Sequence, residues 1–417
     1  MKVFVDTVGC RLNQSEIEKI AAQFRAEGYE ITGEVSEADL VVVNTCAVTA
    51  RASADSRKAI RHATHAGNAQ LVVTGCWATL SPDEAAAMPG VSRVVSNLQK
   101  DQLVSLVVGR EHVFEPESRQ PLPGGRRRTR AFIKVQDGCN NFCTYCVTRI
   151  ARGAARSVTS EEVLAEVRAA AAGGAKEAVL TGVHLGSWGQ DFAEQQHLKD
   201  LVELILQETS IARLRLSSLE PWDLDEEFFR LWQNPRLCAH LHLPLQSGCA
   251  RTLKRMARKI TPDNFRLLVN NARRYAPEMA ITTDMIVGFP GETDEDFEES
   301  LAFAREMSFA GGHVFAFSPR AGTPAANYPD QIESQVKKER SQRLRKLFAE
   351  MEGAYAQQFI GRSLDVLWED QSEDGSLKGL SGNYLKVCSA SSQNLWNEVS
   401  RVKIIRKNGG DLYGEIE

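Results

Sequence analysis

The apolar run Leu40-Val41-Val42-Val43, closed off by Asp39 and Asn44, has the length and β-branched content of a strand buried on both faces. Shorter runs of the same kind predict strands at Lys2–Val5 and Leu71–Val73. Between them the apolar spacing becomes helical. Ile17, Ile20, Ala21 and Phe24 share one face of Ser15–Glu27, which Gly28 stops; Arg51–His65 reads the same way, and Pro82 opens a further helix. This alternation over residues 1–110 predicts an α/β unit with a parallel sheet covered on both faces.

Further along, short strands predicted at Ala131–Gln136, Glu177–Leu180, Arg213–Leu216, His240–Leu245, Ile281–Val287 and His313–Phe317 alternate with helices. About six such strands suit a partial (β/α) barrel with function at the carboxyl-end loops. Gln331–Gln358 is polar and helical. After Gly361 come strands at Leu364–Trp368, Leu377–Gly379, Tyr384–Val387, Asn397–Val402 and Asp411–Glu415, the pattern of a small closed or nearly closed β-barrel. The chain thus divides into 1–115, a Pro/Gly/Arg-rich linker 116–130, a barrel unit 131–353 and an appended module 354–417.

Composition is that of an ordinary soluble globular protein, 43% hydrophobic and 25% charged, which excludes collagen, coiled coil and long disorder. A net charge of −4 gives no global pull on nucleic acid, so any such contact is local. No apolar run approaches the roughly 18 residues of a membrane helix, and Asp6 interrupts the first apolar stretch. We expect a cytoplasmic chain. Its nine cysteines, in a reducing compartment, are then metal ligands or buried hydrophobes rather than disulfides.

Each of the first three strands runs into a cysteine: Gly9-Cys10, Thr45-Cys46 and Gly75-Cys76. Carboxyl ends of parallel strands share one sheet edge, so three thiols distant in sequence converge. Three thiolates can hold three irons of a 4Fe–4S cluster and leave the fourth open. Zinc is the rival, and it requires a fourth ligand that no nearby His or Cys obviously supplies.

Cys139, Cys143 and Cys146 form a C-x3-C-x2-C loop after the strand at 131–136. Three cysteines in eight residues share no regular face, so packing does not explain them, and a loop wrapped on a metal does. Without an adjacent fourth thiolate, the pattern favours a 4Fe–4S cluster whose free iron chelates S-adenosylmethionine over a structural zinc loop. Strand-end loops carry Gly182, Ser218, Glu220, Gln246, Gly288 and Arg320. The glycines either form tight turns or let backbone approach an adenosyl group, which Ser218, Glu220 and Gln246 would hydrogen-bond. No phosphate-binding G-x-x-x-x-G-K-[ST] loop is present, so ATP hydrolysis is unsupported.

Lys337, Lys338, Arg340, Arg343, Arg345 and Lys346 fall within ten residues of one helix, with Leu344, Phe348 and Met351 on its apolar face. This is either an amphipathic connector or a tRNA-facing side. The basic run Arg126-Arg127-Arg128-Thr129-Arg130 is either a solvated loop or a nucleic-acid contact. In the last module Trp368, Tyr384 and Trp396 are core residues or base platforms. Cys238, Cys249 and Cys388 have no partners at ligand spacing and read as structural.

Together, Val8-Gly9-Cys10-Arg11-Leu12-Asn13, the segments ending in Cys46 and Cys76, the Cys139–Cys146 loop, Ser217–Pro221, His240–Gly248 and Gly288–Thr293 resemble the methylthiotransferases along nearly the whole chain. Asn44–Thr49, Ser56–Arg61 and Asn383–Val387 resemble the type acting on N6-threonylcarbamoyladenosine at position 37 of tRNA; relatives act on N6-isopentenyladenosine or on a ribosomal-protein aspartate. Val147-Thr148-Arg149-Ile150 replaces a proline-containing segment usual in similar sequences.

The resemblance implies a C-terminal module of the TRAM type, two 4Fe–4S clusters on Cys10/Cys46/Cys76 and Cys139/Cys143/Cys146, and no catalytic residues beyond them. S-adenosylmethionine would be held by Tyr145, Gly182, Ser218, Glu220, Gln246, Gly288 and Arg320. Expected partners are tRNA, through anticodon-loop adenosine 37, and a reductant such as flavodoxin or ferredoxin, with the chain a monomer off the membrane. A non-catalytic RNA-binding protein and a two-cluster electron carrier are the readings from other classes.

Overall fold

In the first unit, strands β1 (Lys2–Thr7), β2 (Glu30–Ile31), β3 (Leu40–Thr45), β4 (Gln70–Gly75) and β5 (Val91–Val95) form one parallel sheet in the order β2-β1-β3-β4-β5. The computed structural model describes residues 1–67, 69–110, 118–124 and 128–417. Alternation puts Val3, Val5, Leu40, Val42 and Val72 against Ile17, Phe24 and Leu103 on one face. Phe4, Val41, Val43, Leu71 and Val73 meet Ile60, Ala63 and Trp77 on the other. Each such side chain contributes about 1.5–3 kcal/mol of burial, which is why these strands read as continuous apolar runs.

β6 (Ala131–Lys134), β9 (Glu177–Thr181) and β10 (Arg213–Leu216) form one parallel sheet; β11 (His240–His242), β12 (Ala280–Val287) and β13 (Gly311–Ala316) form another. Isolated bridges from Leu214 to Leu237 and Ser218 to His242 join them, giving six strands in chain order, a partial barrel. The strand expected at 131–136 is divided. Gln136 and Asp137 leave it to form β7, paired antiparallel with β8 (Arg156–Ser157). Leu180, Leu214, Leu216, Leu241 and Ile281 face the helices as core. Glu177, Arg215, His240 and His242 alternate with them and face the lumen.

The last five strands, β14 (Ser363–Gln371), β15 (Ser376–Ser381), β16 (Lys386–Ala390), β17 (Val399–Asn408) and β18 (Asp411–Ile416), close into a barrel. Trp368 is fully buried at its centre with Val366, Leu377 and Val402, and its indole donates to Ser400 Oγ at 3.0 Å. A base cannot reach it, so Trp368 is core and not a platform. This module docks on the amino ends of the lumen strands: Arg215 donates to the carbonyls of Ser381 at 3.1 Å and Gly382 at 3.0 Å, and Asn397 to that of Gly174 at 2.8 Å.

The helix Ser334–Gln357 is fastened by its cations. Arg340 pairs with Glu292 at 2.6 Å and Asp294 at 2.7 Å, Arg343 with Glu298, and Arg345 donates to the Val314 carbonyl. The connector reading of that basic run therefore holds for these three residues. Of segment 116–130, Pro116, Glu117, Gly125, Arg126 and Arg127 lie outside the described residues. Leu122 is buried in the first sheet's core and Arg130 pairs with Glu369 at 2.6 Å. No helix among the described residues is long and apolar enough to cross a membrane.

Candidate functional site

Gly9 and Gly75 hold left-handed φ of 106° and 98° immediately before Cys10 and Cys76. A Cβ on Gly9 would lie 2.6 Å from Cys46 Sγ, and one on Gly75 2.3 Å from the Thr45 carbonyl oxygen. Only glycine lets the ends of β1, β3 and β4 close up, and this is what gathers Cys10, Cys46 and Cys76. Asn13, one turn after Cys10, accepts from its thiol at 3.6 Å and donates to the carbonyls of Val8 and Thr45 at 2.8 and 3.1 Å.

Behind the trio lies a buried charge network. Arg152 donates to Glu16 at 2.7 Å, Asp137 at 2.9 Å and Asn13 Oδ1 at 2.8 Å; Lys100 donates to Glu16 at 2.7 Å and to Asn44 at 3.1 Å. Burial alone would raise the Glu16 carboxyl, but Arg152 and Lys100 outweigh it and hold it well below the usual range. Arg152 closes the short helix Thr148–Arg152 that follows Cys146, so this network ties the first trio to the second.

The second trio sits on the loop between β7 and that helix. Cys139 N donates to the Gly153 carbonyl at 3.1 Å, and Asp137 accepts from Gly138 N at 2.8 Å. Arg258 reaches Cys143 Sγ at 3.9 Å while bonding Glu220 at 2.6 Å and lying over the Trp222 ring at 4.4 Å. His184 pairs with Asp223 at 2.6 Å. Burial would lower its pKa, yet bonds to Asp223 and Cys139 raise it to about 9. Burial pushes the Cys46 and Cys143 thiols up to about 11, so a bound metal must displace their protons.

Asn97 spans the two halves: its amide donates to Cys76 Sγ at 3.6 Å and to the Ala151 carbonyl at 2.9 Å. Neither trio belongs to a group of His, Cys, Asp or Glu ligand atoms within 4.8 Å of one another among the described residues. Sulfurs on a single zinc, given Zn–S near 2.3 Å, sit about 3.8 Å apart. Several buried polar atoms here lack protein partners: Thr74 Oγ1, Asn97 Oδ1 and Arg320 Nε and Nη2 on the first side, Ser217 Oγ, Trp222 Nε1 and Arg258 Nε on the second. Buried polar groups require partners, and these fit a cofactor-filled space.

The seven expected adenosyl contacts separate. Tyr145 packs edge-on to Phe289 at 6.4 Å, and Glu220 is engaged by Arg258. Ser218 is exposed at a strand end, and Gln246 holds φ of 72° while pairing its backbone with Asp284 and Ile286. Gly182 and Gly288 are tightly surrounded: a Cβ would lie 3.0 Å from Gln136 on the first and 2.4 Å from Lys337 on the second. Burial lowers the Arg320 guanidinium's pKa, and Cys46 of the first trio lies close enough to oppose that shift. Phe142 is 68% exposed beneath the Arg149 guanidinium at 3.8 Å, and Leu98 and Ile150 are exposed as well.

The profile of the Radical SAM superfamily matches residues 133–304, and that of Uncharacterized protein family UPF0004 matches residues 2–96. The chain is 36% identical to the threonylcarbamoyladenosine tRNA methylthiotransferase MtaB of Bacillus subtilis, over 96% of this chain and 93% of the relative. Identity is 38% to the protein of that name from Thermotoga maritima, over 92% and 90%. It is 34% to the tRNA-2-methylthio-N(6)-dimethylallyladenosine synthase of Bacillus mycoides, over 100% and 86%. Among solved structures, the radical S-adenosylmethionine methyltransferase TsrM of Kitasatospora setae shares the fold with a TM-score of 0.61 at 17% identity, covering 78% of this chain and 75% of that one.

Proposed function

This chain belongs to the tRNA methylthiotransferase family of radical S-adenosylmethionine enzymes, and from that premise we propose that it installs a methylthio group on C2 of N6-threonylcarbamoyladenosine at position 37 of tRNA. The observation that carries the reading is the Asn97 bridge, because it sets Cys76 beside the segment that follows Cys146. One substrate carbon can then be served from both sides.

Cys139, Cys143 and Cys146 would hold one 4Fe–4S cluster and Cys10, Cys46 and Cys76 the second. When bound, these clusters and S-adenosylmethionine supply the hydrogen-abstracting radical and the sulfur, chemistry beyond acid–base side chains. The protein's residues supply position and charge. Arg258 and His184 orient the loop around the one trio and offset thiolate charge; Asn13, Asn97, Arg152 and Arg320 do so at the other. Tyr145, Ser218 and Gln246 border the space an adenosyl group would take.

Phe142 with Arg149 offers an exposed stacking rim for anticodon-loop bases, the feature expected for single-stranded RNA. In this proposal electrons come from a flavodoxin- or ferredoxin-type reductant in the cytoplasm, and the chain acts as a monomer. Mass spectrometry of tRNA nucleosides from cells with and without the gene tests the reading. Loss of 2-methylthio-N6-threonylcarbamoyladenosine supports it, whereas loss of the isopentenyl analogue moves the assignment to the sister enzymes.

A further inference from the structure

Resting on that reading, we propose that Arg11, Arg130 and Tyr384 form the subsite that receives the carboxylate of the N6-threonylcarbamoyl group. Tyr384 comes from the last module, on the turn between β15 and β16. Its φ of 66° is a left-handed value that a bulky aromatic residue rarely adopts. The ring stacks on His240 of the lumen, centroids 4.2 Å apart and planes 11° from parallel. Its hydroxyl accepts from Arg11 Nη2 at 2.6 Å. Arg11 directly follows Cys10, so the cluster lies between the first cysteine trio and the barrel lumen.

The electrostatics point to an anion. Burial would raise the Tyr384 hydroxyl, but Arg11, Arg130 and Arg215 together bring it below its ordinary value. Burial, then Arg215 and Arg11, push His240 well down. An acid and a base thus report the same positive potential. Glu177 balances Arg215 and Glu369 balances Arg130, whereas the hydrogen bond Arg11 makes is to a neutral hydroxyl. Arg130 Nη1 and His240 Nδ1 are buried without hydrogen-bond partners.

A dimethylallyl group has no use for such donors; a threonylcarbamoyl group carries a carboxylate that a guanidinium binds strongly. Having accepted from Arg11, the Tyr384 hydroxyl still has its own proton to donate. A backbone phosphate is the other anion available on RNA. His240 and Arg215 are almost wholly buried, which admits a slim side chain more readily than a nucleotide backbone.

The test uses the reconstituted full chain and two anticodon stem-loop RNAs, one with N6-threonylcarbamoyladenosine at the target position and one with plain adenosine. Wild-type protein should bind the first more tightly. Arg11→Met and Tyr384→Phe should each cut that preference roughly tenfold to hundredfold, leaving plain-RNA affinity within about twofold and iron content unchanged. Tyr384→Phe keeps the ring and its stack, so it decides the matter if Arg11→Met disturbs Cys10. Retained preference in Tyr384→Phe, or equal weakening toward both RNAs as a phosphate contact gives, overturns the subsite. Failure of wild-type protein to methylthiolate the modified RNA would instead overturn the substrate reading.

Discussion

Asn97 donates through one amide nitrogen to both Cys76 Sγ, at 3.6 Å, and the Ala151 carbonyl, at 2.9 Å, although these acceptors belong to separate structural units. The residue is only 4% exposed. Asn97→Ala leaves the Ala151 carbonyl without this partner, at a cost of about 1–3 kcal/mol. We expect the variant to fold with a modestly lower melting temperature and to cleave S-adenosylmethionine. Its yield of methylthiolated nucleoside per cleavage, read by mass spectrometry of both products, should fall at least severalfold. An unchanged ratio would show that the bridge is only structural.

Division of labour between the trios gives a sharper contrast. Cys46→Ala should retain formation of 5′-deoxyadenosine and abolish methylthio product. Cys143→Ala should abolish both. Product from the Cys46 variant would remove the first trio from the sulfur-transfer role.

The exposed Phe142–Arg149 pair should act on RNA affinity and not on cofactor binding. Base–aromatic stacking is worth about 1–3 kcal/mol. Phe142→Ala is therefore expected to weaken binding of the anticodon stem-loop by roughly tenfold to a hundredfold, with S-adenosylmethionine binding unchanged by calorimetry.

Docking of the last module depends on Glu177, which is fully buried beside Arg215 at 2.6 Å. Burial opposes its ionisation, but Arg215 and Arg213 bring its pKa from 4.5 to about 2. A depressed carboxyl contributes stability that is complete above pH 4.5, declines as pH falls from there toward about 2, and is absent below. Glu177→Gln leaves the two arginines uncompensated and should cost about 3–5 kcal/mol near neutral pH. Urea midpoints between pH 2 and 7 should show a smaller acid slope in the variant.

The cysteine trios were legible because strand ends and loop spacing are written locally. Asn97 was not: β5 is an edge strand whose Ser92 and Arg93 are exposed, so no apolar run marks it, and the strand end it supplies went unread. Arg152 lies 139 residues from Asn13 and 136 from Glu16, partners that only the fold brings near. Tyr384 looked like a base platform or core residue; its stack on His240 and its bond to Arg11 depend on how the last module docks. That Gln136 and Lys337 crowd the Cβ positions of Gly182 and Gly288 is likewise set by the fold and not by local sequence.

Iron stoichiometry of the anaerobically reconstituted protein tests the central claim most directly. Two cysteine trios predict roughly eight irons per wild-type chain and roughly four in either the Cys46→Ala or the Cys143→Ala variant. Wild-type protein that saturates near four irons, with one of those variants matching it, would contradict the account.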